Sequence, residues 1–333
     1  DIKTIIFGSH PTFYSEKILR IPEVDFIVFG EAEYPIRDII FNKNLEEIKS
    51  IGFKKNGELR INRERYDVPN LDELPFPDWT MLSKDLVYFH PLIEQMPWTT
   101  AVSSRGCSGE CNFCISPSLF GKYRQRSVQN VVEEMEYLVN LGFKEVFYRD
   151  ETFTVNKKRT LGICKAVKES DWDISWICNS RVDTIDREMM LALHQAGCHT
   201  IKFGVESGNQ KILDNIQKGT TLKQARDAFK IAREIGIKTH AHSMLGCIGE
   251  TKETLRDTIN FAKEIKPTTV TFNVFTPFSG TPVYDLVINE LEKKDVDGTE
   301  IDISIEHAQA YYNNLFTELT NEDVTKSLRQ AYK

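Results

Sequence analysis

Three cysteines fall within one short stretch, Cys107-Ser-Gly-Glu-Cys111-Asn-Phe-Cys114. The spacing C-x3-C-x2-C can turn three thiolates onto one face around an iron–sulfur cluster. Most 4Fe–4S clusters take four cysteines. Three ligands leave one iron open, as catalytic zinc sites keep an open position. A structural zinc is the competing reading, and it wants four closed ligands. The nearest candidates, His90 and Cys164, are far away in sequence, so zinc requires a distant partner and is the less favoured alternative. Three cysteines buried in a core is weaker still, because a loop rich in Ser, Gly, Glu and Asn does not read as core. The remaining cysteines, Cys164, Cys178, Cys198 and Cys247, read as small buried hydrophobes.

The elements around this loop follow a regular pattern. TTAVSS (99–104) reads as a strand. Ser127 opens an amphipathic helix that Gly142 stops. Strands follow at 145–150, 174–181, 199–207, 238–246 and 269–277. They alternate with helices over Asn156–Glu169, Asp186–Ala196, Thr221–Ile235 and Thr251–Ile265. Thr221 and Gln224 make a capping box, and Pro267 halts the last of these helices. Six strand–helix units argue an α/β architecture: a partial (β/α)6 barrel or an open doubly wound sheet. A full eight-unit barrel typically needs about 250 residues. The periodicity does not separate the two architectures. Polar residues gather where each strand ends: Asp150-Glu151, Ser180-Arg181, Glu206-Ser207, Gly246–Glu250, and Pro277–Gly280. Barrel chemistry sits at carboxyl strand ends, so these residues read as one site.

The cysteine spacing, with Phe113 before the third cysteine and the β/α units behind it, resembles the signature of the radical S-adenosylmethionine (SAM) superfamily over roughly residues 97–285. The resemblance implies that Cys107, Cys111 and Cys114 hold a 4Fe–4S cluster. Its open iron chelates SAM, whose reductive cleavage gives methionine and a 5′-deoxyadenosyl radical. It implies further that Phe113 lies near the adenine and that Asp150 and Glu151 accept hydrogen bonds from the SAM amino group. Arg181 would approach the SAM carboxylate, and Glu206 and Ser207 the ribose or methionyl end. Gly246 and Gly249 would let backbone approach the adenine, with 276–284 closing over the nucleoside. Simpler readings stand beside these: Asp150 as a helix N-cap, Arg181 in a surface ion pair, Glu250 as a helix-start residue, and Cys247 as filler.

Before the barrel lies a strand at 3–9, a helix around Ser15–Arg20, a strand at 25–30 and a helix from Glu31. Continuous apolar strands argue parallel pairing. Residues 53–62 carry Asn56-Gly57 between short alternating runs, a hairpin signal. Three prolines over 66–79 mark a linker. IIFGSHPTFYSEKIL, VDFIVFGEAEYPIRDII and LDELPFPDW resemble the back half of the cobalamin-binding domain, and the linker, of the cobalamin-dependent radical SAM group. On that resemblance Gly8, Ser9, His10, Thr12, Gly30 and Glu31 lie at carboxyl strand ends where a corrinoid would sit. His10 is not in a cobalt-ligand motif. The implied activity is methyl transfer to an unactivated carbon. Ring closure or rearrangement, and radical chemistry without cobalamin, are the alternatives within the group; a structural metal-binding protein is the alternative outside it. The expected domains are 1–45 (partial cobalamin-binding-like), 46–96 (hairpin and linker), 97–285 (partial barrel) and 286–333 (helical extension). The opening in mid-domain without Met suggests an excerpt of a longer protein.

Bulk properties narrow the partners. The chain has 333 residues, a net charge of −7, 41% hydrophobic and 27% charged residues. That composition is ordinary for a globular protein with a normal core. A mildly acidic chain has no electrostatic footprint for nucleic acid, and no apolar run is long enough to span a bilayer. Scattered, odd-numbered cysteines argue a reduced, cytoplasmic setting. The expected partners are a small-molecule substrate of unknown class and a flavodoxin- or ferredoxin-like electron donor.

Overall fold

The computed structural model describes residues 2–82, 88–293 and 317–332. Two sheets carry the fold. The first contains β1 (Ile5–Phe7), β2 (Phe26–Val28), β3 (Ile51–Lys55) and β4 (Glu58–Asn62), in that order. β1 and β2 are parallel, and the β3–β4 hairpin adds antiparallel to β2. Asn56 and Gly57 form its turn, both at positive φ (53° and 82°), as a two-residue hairpin loop demands. The hairpin at 53–62 thus belongs to the same sheet as the first two strands. A short helix, Ser9–Phe13, precedes the expected one at Ser15–Leu19.

The second sheet holds β5 (Trp98–Ala101), β8 (Glu145–Tyr148), β9 (Ser175–Ser180), β10 (Cys198–Glu206), β11 (Lys238–Leu245) and β12 (Thr269–Val274). All neighbours are parallel, and the spatial order follows the chain order without reversal. A doubly wound sheet must reverse its strand order to place helices on both faces. This sheet does not reverse, so right-handed crossovers leave every helix on one side. The architecture is the partial barrel.

The helices form for the reasons their sequences give. Ser127, Asn156, Asp186, Thr221 and Thr251 each accept a backbone N–H at an N-cap, and Thr221–Gln224 closes the capping box. The core lies between sheet and helices, around Trp176, Tyr148 and Phe153, all fully buried. Trp176 meets the other two rings at 5.6 and 5.2 Å. Alternation then sends the opposite residues of each strand into the barrel lumen. The tail helix Asn321–Ala331 does not cross the barrel mouth. Leu319 and Val324 pack with Leu255, Ile259 and Phe272 on the outer side of the last strands. The tail segment at 294–316 lies outside the described residues.

Two further strands were not legible. β6 (Ser104–Arg105) and β7 (Arg124–Gln125) form a small antiparallel ribbon. The expected strand at 99–104 therefore stops at Ala101, and the ribbon closes residues 106–123, cysteines included, into one loop.

Candidate cluster and SAM site

The loop is pinned at its root by Asp150. This carboxylate is fully buried and accepts from the Ser103 N–H (2.7 Å), the Ser103 hydroxyl (2.6 Å) and the Ser104 hydroxyl (2.5 Å). Burial raises its pKa, although the serine bonds pull against that. Asp150 is therefore neither a helix cap, since Asn156 caps the next helix, nor free to receive a SAM amino group. It positions the loop. Asn112 pins the far side. Its side-chain amide donates to the Asn215 carbonyl (2.9 Å), and its backbone pairs with Ile216 and Val283.

Between these anchors the three thiols are half-buried and unbridged. The Gly109 N–H donates to Cys107 Sγ at 3.3 Å, and Thr152 Oγ1 lies 3.5 Å from the same sulfur. Arg181 Nη1 points at Cys111 Sγ from 3.7 Å. The rest of the Arg181 guanidinium is held by Asp183 through two 2.9 Å bonds and by the Lys218 carbonyl. Arg181 is only 7% exposed, so it is not in a surface ion pair. Gly109 makes the approach possible, because a Cβ there would press into Nη1. Burial raises the pKa of Cys111 and Cys114. Among the described residues no three His, Cys, Asp or Glu side chains converge closely enough for a single metal ion. The donor set at the loop is three free cysteines, Cys107, Cys111 and Cys114, and thiolates are the ligands that iron–sulfur clusters take.

Glu151 sits beside the loop, held by backbone at Gly106, and burial pushes its pKa up to about 7. Arg105 attracts it from a distance but pairs with Glu31 and Glu33 instead. On the other side Glu206 ends β10 at φ 65°, after a register shift between Gly204 and Glu206. Its carboxylate meets Lys218 Nζ at 2.8 Å, with both side chains about nine-tenths buried. Lys218 was not singled out from the sequence. It sits in a turn after a short helix, Gln210–Asn215, where no periodicity marks it. Phe113 packs with Phe275 (ring centroids 6.2 Å) in a cluster that includes Cys247. That places Phe113 beside the loop carrying Gly246 and Gly249, both at positive φ. Cys247 is fully buried filler. Glu250 is not a helix-start residue: Thr251 caps that helix. Glu250 is buried and accepts from the N–H groups of Gly246 and Cys247, and its Oε1 has no partner. Ser207 is also corrected: it is fully buried against Thr258 Oγ1 (3.1 Å) and does not face the lumen.

The first sheet brings its carboxyl ends toward this mouth. Thr12 Oγ1 donates to the Gly8 carbonyl (2.5 Å) and accepts from the Gly30 N–H (3.0 Å), tying the ends of β1 and β2 together. His10 lies against Tyr14, ring centroids 5.1 Å apart, while Ser9 is exposed. Phe13 packs on Gly280, where a Cβ would collide with the ring. The Ser118 hydroxyl donates to the Gly280 carbonyl, a contact just after the cysteines. Glu31, expected to face a corrinoid, is instead spent on Arg124 (2.9 and 2.7 Å), Arg105 and the Val68 N–H. Burial works to raise its pKa, but these partners outweigh that and hold it low.

Comparison with known proteins agrees with this geometry. The radical SAM superfamily model matches residues 101–262. The chain is 33% identical to "Uncharacterized methyltransferase PH0819" of Pyrococcus horikoshii, covering 100% of this chain and 72% of that protein. In fold it resembles the cobalamin-dependent SAM radical enzyme OxsB with aqua-cobalamin and SAM bound. The TM-score is 0.74 at 19% identity, over 97% of this chain and 52% of that one. It also resembles the radical SAM methyltransferase TsrM of Kitasatospora setae with cobalamin and a 4Fe–4S cluster bound. There the TM-score is 0.70 at 16% identity, over 87% and 58%. The chain thus spans about half the length of those two structures. Three thiols on a pinned loop at the mouth of a six-stranded partial barrel, together with these matches, place the chain in the radical SAM superfamily.

Proposed function

We propose that the protein is a cobalamin-dependent radical SAM methyltransferase acting on an unactivated carbon of a small molecule, with a flavodoxin- or ferredoxin-like protein supplying electrons. The observation that carries the cobalamin part is the seating of Phe13 on Gly280. It sets the strand ends at Gly8 and Gly30 over the barrel mouth, and ligands of parallel sheets bind at carboxyl strand ends. The methyltransferase relative and the two cobalamin-bound folds support it.

When bound, the cluster and SAM supply a 5′-deoxyadenosyl radical, and cobalamin supplies the methyl group. The chain's own residues hold and orient these groups. Cys107, Cys111 and Cys114 would ligate iron as thiolates. Burial raises the pKa of Cys111 and Cys114, so their protons must leave on metal loading. Thr152 and the Gly109 N–H stabilise negative charge at Cys107, and Arg181 does so at Cys111. Glu151 accepts from the SAM amino group, while Phe113 and the Gly246–Gly249 backbone flank the adenine. Lys218 holds Glu206 toward the SAM ribose or methionyl end. Of the corrinoid-facing residues, Gly8, Thr12 and Gly30 form a backbone ledge, with Ser9 and His10 above it.

The test is anaerobic reconstitution of the full-length protein with iron, sulfide, cobalamin, SAM and reductant, with Cys114→Ala beside it. 5′-Deoxyadenosine from the parent and none from the variant supports radical chemistry. S-Adenosylhomocysteine that appears only with cobalamin supports methyl transfer. A clustered protein that makes neither product contradicts the proposal.

A further inference from the structure

The lumen wall carries charge that the SAM site does not use. Lys202 sits in the middle of β10, and pairing sets it abreast of Asn179 on β9 and His240 on β11. Val146 and Tyr148 belong to the outer core, so alternation turns Phe147 into the lumen, and Arg149, exposed and one residue past the end of β8, lays its guanidinium over the same ring. Lys202 Nζ lies 4.8 Å from the Phe147 ring centroid, and Arg149 Cζ lies 4.7 Å from the same centroid. Two cations therefore share one ring.

The acids nearby are already paired. Glu145 holds His199 (2.9 Å) and the N–H groups of Glu94 and Gln95. Glu206 holds Lys218. Among the described residues neither Lys202 nor Arg149 has an acidic partner. His240 and His242 bond Thr269 and Thr271, and burial lowers their pKa to about 3 and about 4. They line the wall as neutral groups. Lys202 is only 8% exposed, and burial followed by Arg149 lowers its pKa to about 8. A buried cation without a partner is costly. Placing it beside a second cation adds to that cost unless an anion joins them.

We propose that Lys202 and Arg149 form an oxyanion subsite in the barrel lumen, so that the substrate carries a carboxylate or phosphate-type group seated between them. This rests on the reading of the lumen as the substrate chamber of a radical SAM enzyme. The Arg149 fork can take two oxygens and Lys202 a third as a point charge. Asn179 and the neutral histidines leave the anion its full attraction to the two cations. The aromatic floor of Phe147 keeps the chamber apolar beneath it.

The test uses the reconstituted protein without SAM. Thermal midpoints are measured against inorganic phosphate or acetate at constant ionic strength with chloride. The parent midpoint rises saturably with one of the two anions, and which one it is separates phosphate-type from carboxylate substrates. In Lys202→Met and in Arg149→Met the apparent affinity falls by about tenfold or more, while Lys202→Arg keeps most of it. In chloride alone, without phosphate or acetate, Lys202→Met unfolds at or above the parent midpoint, because it removes an unpaired buried charge. Three results overturn the proposal: no saturable response in the parent, equal responses in parent and Met variants, or displacement of the anion by SAM, which would make the pocket a site for the SAM carboxylate. 5′-Deoxyadenosine formation by the parent is scored separately. SAM cleavage without anion binding sinks only the subsite, whereas anion binding without SAM cleavage sinks the radical SAM reading.

Discussion

Lys218 Nζ meets Glu206 Oε1 at 2.8 Å behind the cysteine loop, where each side chain is about nine-tenths buried. Removing one partner strands the other charge, which typically costs about 3–5 kcal/mol. Lys218→Met and Glu206→Leu should each lower stability on that scale. The double variant should lose much less than the two losses added, since no charge is left unpaired. Denaturant unfolding of the three variants checks this, and simple additivity would show that the pair is not coupled.

Gly109 lets Arg181 reach the cysteine loop. In Gly109→Ala the methyl group must push either the guanidinium or the loop aside, so the Arg181–Cys111 contact at 3.7 Å is lost. Because Asp183 holds Arg181 by two bonds, the loop is the part that yields. Iron and sulfide content after reconstitution should drop severalfold, with little change in far-ultraviolet circular dichroism. Unchanged iron content would mean that the loop adapts without cost.

The barrel was legible because its strands and helices carry local signals: caps, apolar runs and glycine stops. The order of its strands was not, since pairing is decided by which helix faces pack, and no single segment records that. The cysteines were legible by spacing alone. Asp150, Ser207 and Glu31 read from the sequence as ligand contacts because a polar residue at a strand end has the same sequence appearance whether it faces a ligand or a neighbouring part of the chain. Only the bonds to Ser103, Thr258 and Arg124 separate the cases. Lys202 did carry a signal, a lysine inside the apolar run TIKFGV, and His240 and His242 alternate in THAHSM.

Glu250 is buried with one oxygen unpartnered, and burial raises its pKa to about 7 despite the Cys247 and Gly246 N–H bonds. The folded state keeps this proton to about pH 7, while the unfolded chain releases it near 4.5. Stability is therefore fuller below pH 4.5 and declines as pH rises toward 7, by about 3 kcal/mol from this group. Glu250→Gln should match the parent near pH 5 and exceed it near pH 8. Denaturant midpoints at the two pH values decide it, and equal differences at both would contradict the assignment.

Glu151 faces the loop with its pKa raised by burial to about 7. The proposed role, accepting from the SAM amino group, requires it to be ionised. SAM affinity of the clustered protein should then weaken as pH falls from 8 to 6, and Glu151→Gln should bind weakly and almost independently of pH over that range. Calorimetric titration with SAM measures both. A variant that keeps the parent's pH profile would assign the titration to another group.

Gly280 accepts Phe13 against its bare Cα at φ 85°. Alanine at this position adds a methyl group where the ring lies and a backbone conformation that L side chains rarely adopt. In Gly280→Ala the helix Ser9–Phe13 must lift from the mouth, and with it the Thr12 link between Gly8 and Gly30. Cobalamin retention on a desalting column should fall severalfold, while iron content, set by a loop anchored elsewhere, stays near the parent value. Phe13→Ala in the same background removes the collision but keeps the strained backbone. It should therefore restore only part of the cobalamin. Full restoration would show that contact alone governs the placement of the first sheet, and no loss in the single variant would show that the strand ends at Gly8 and Gly30 do not help to hold the corrinoid.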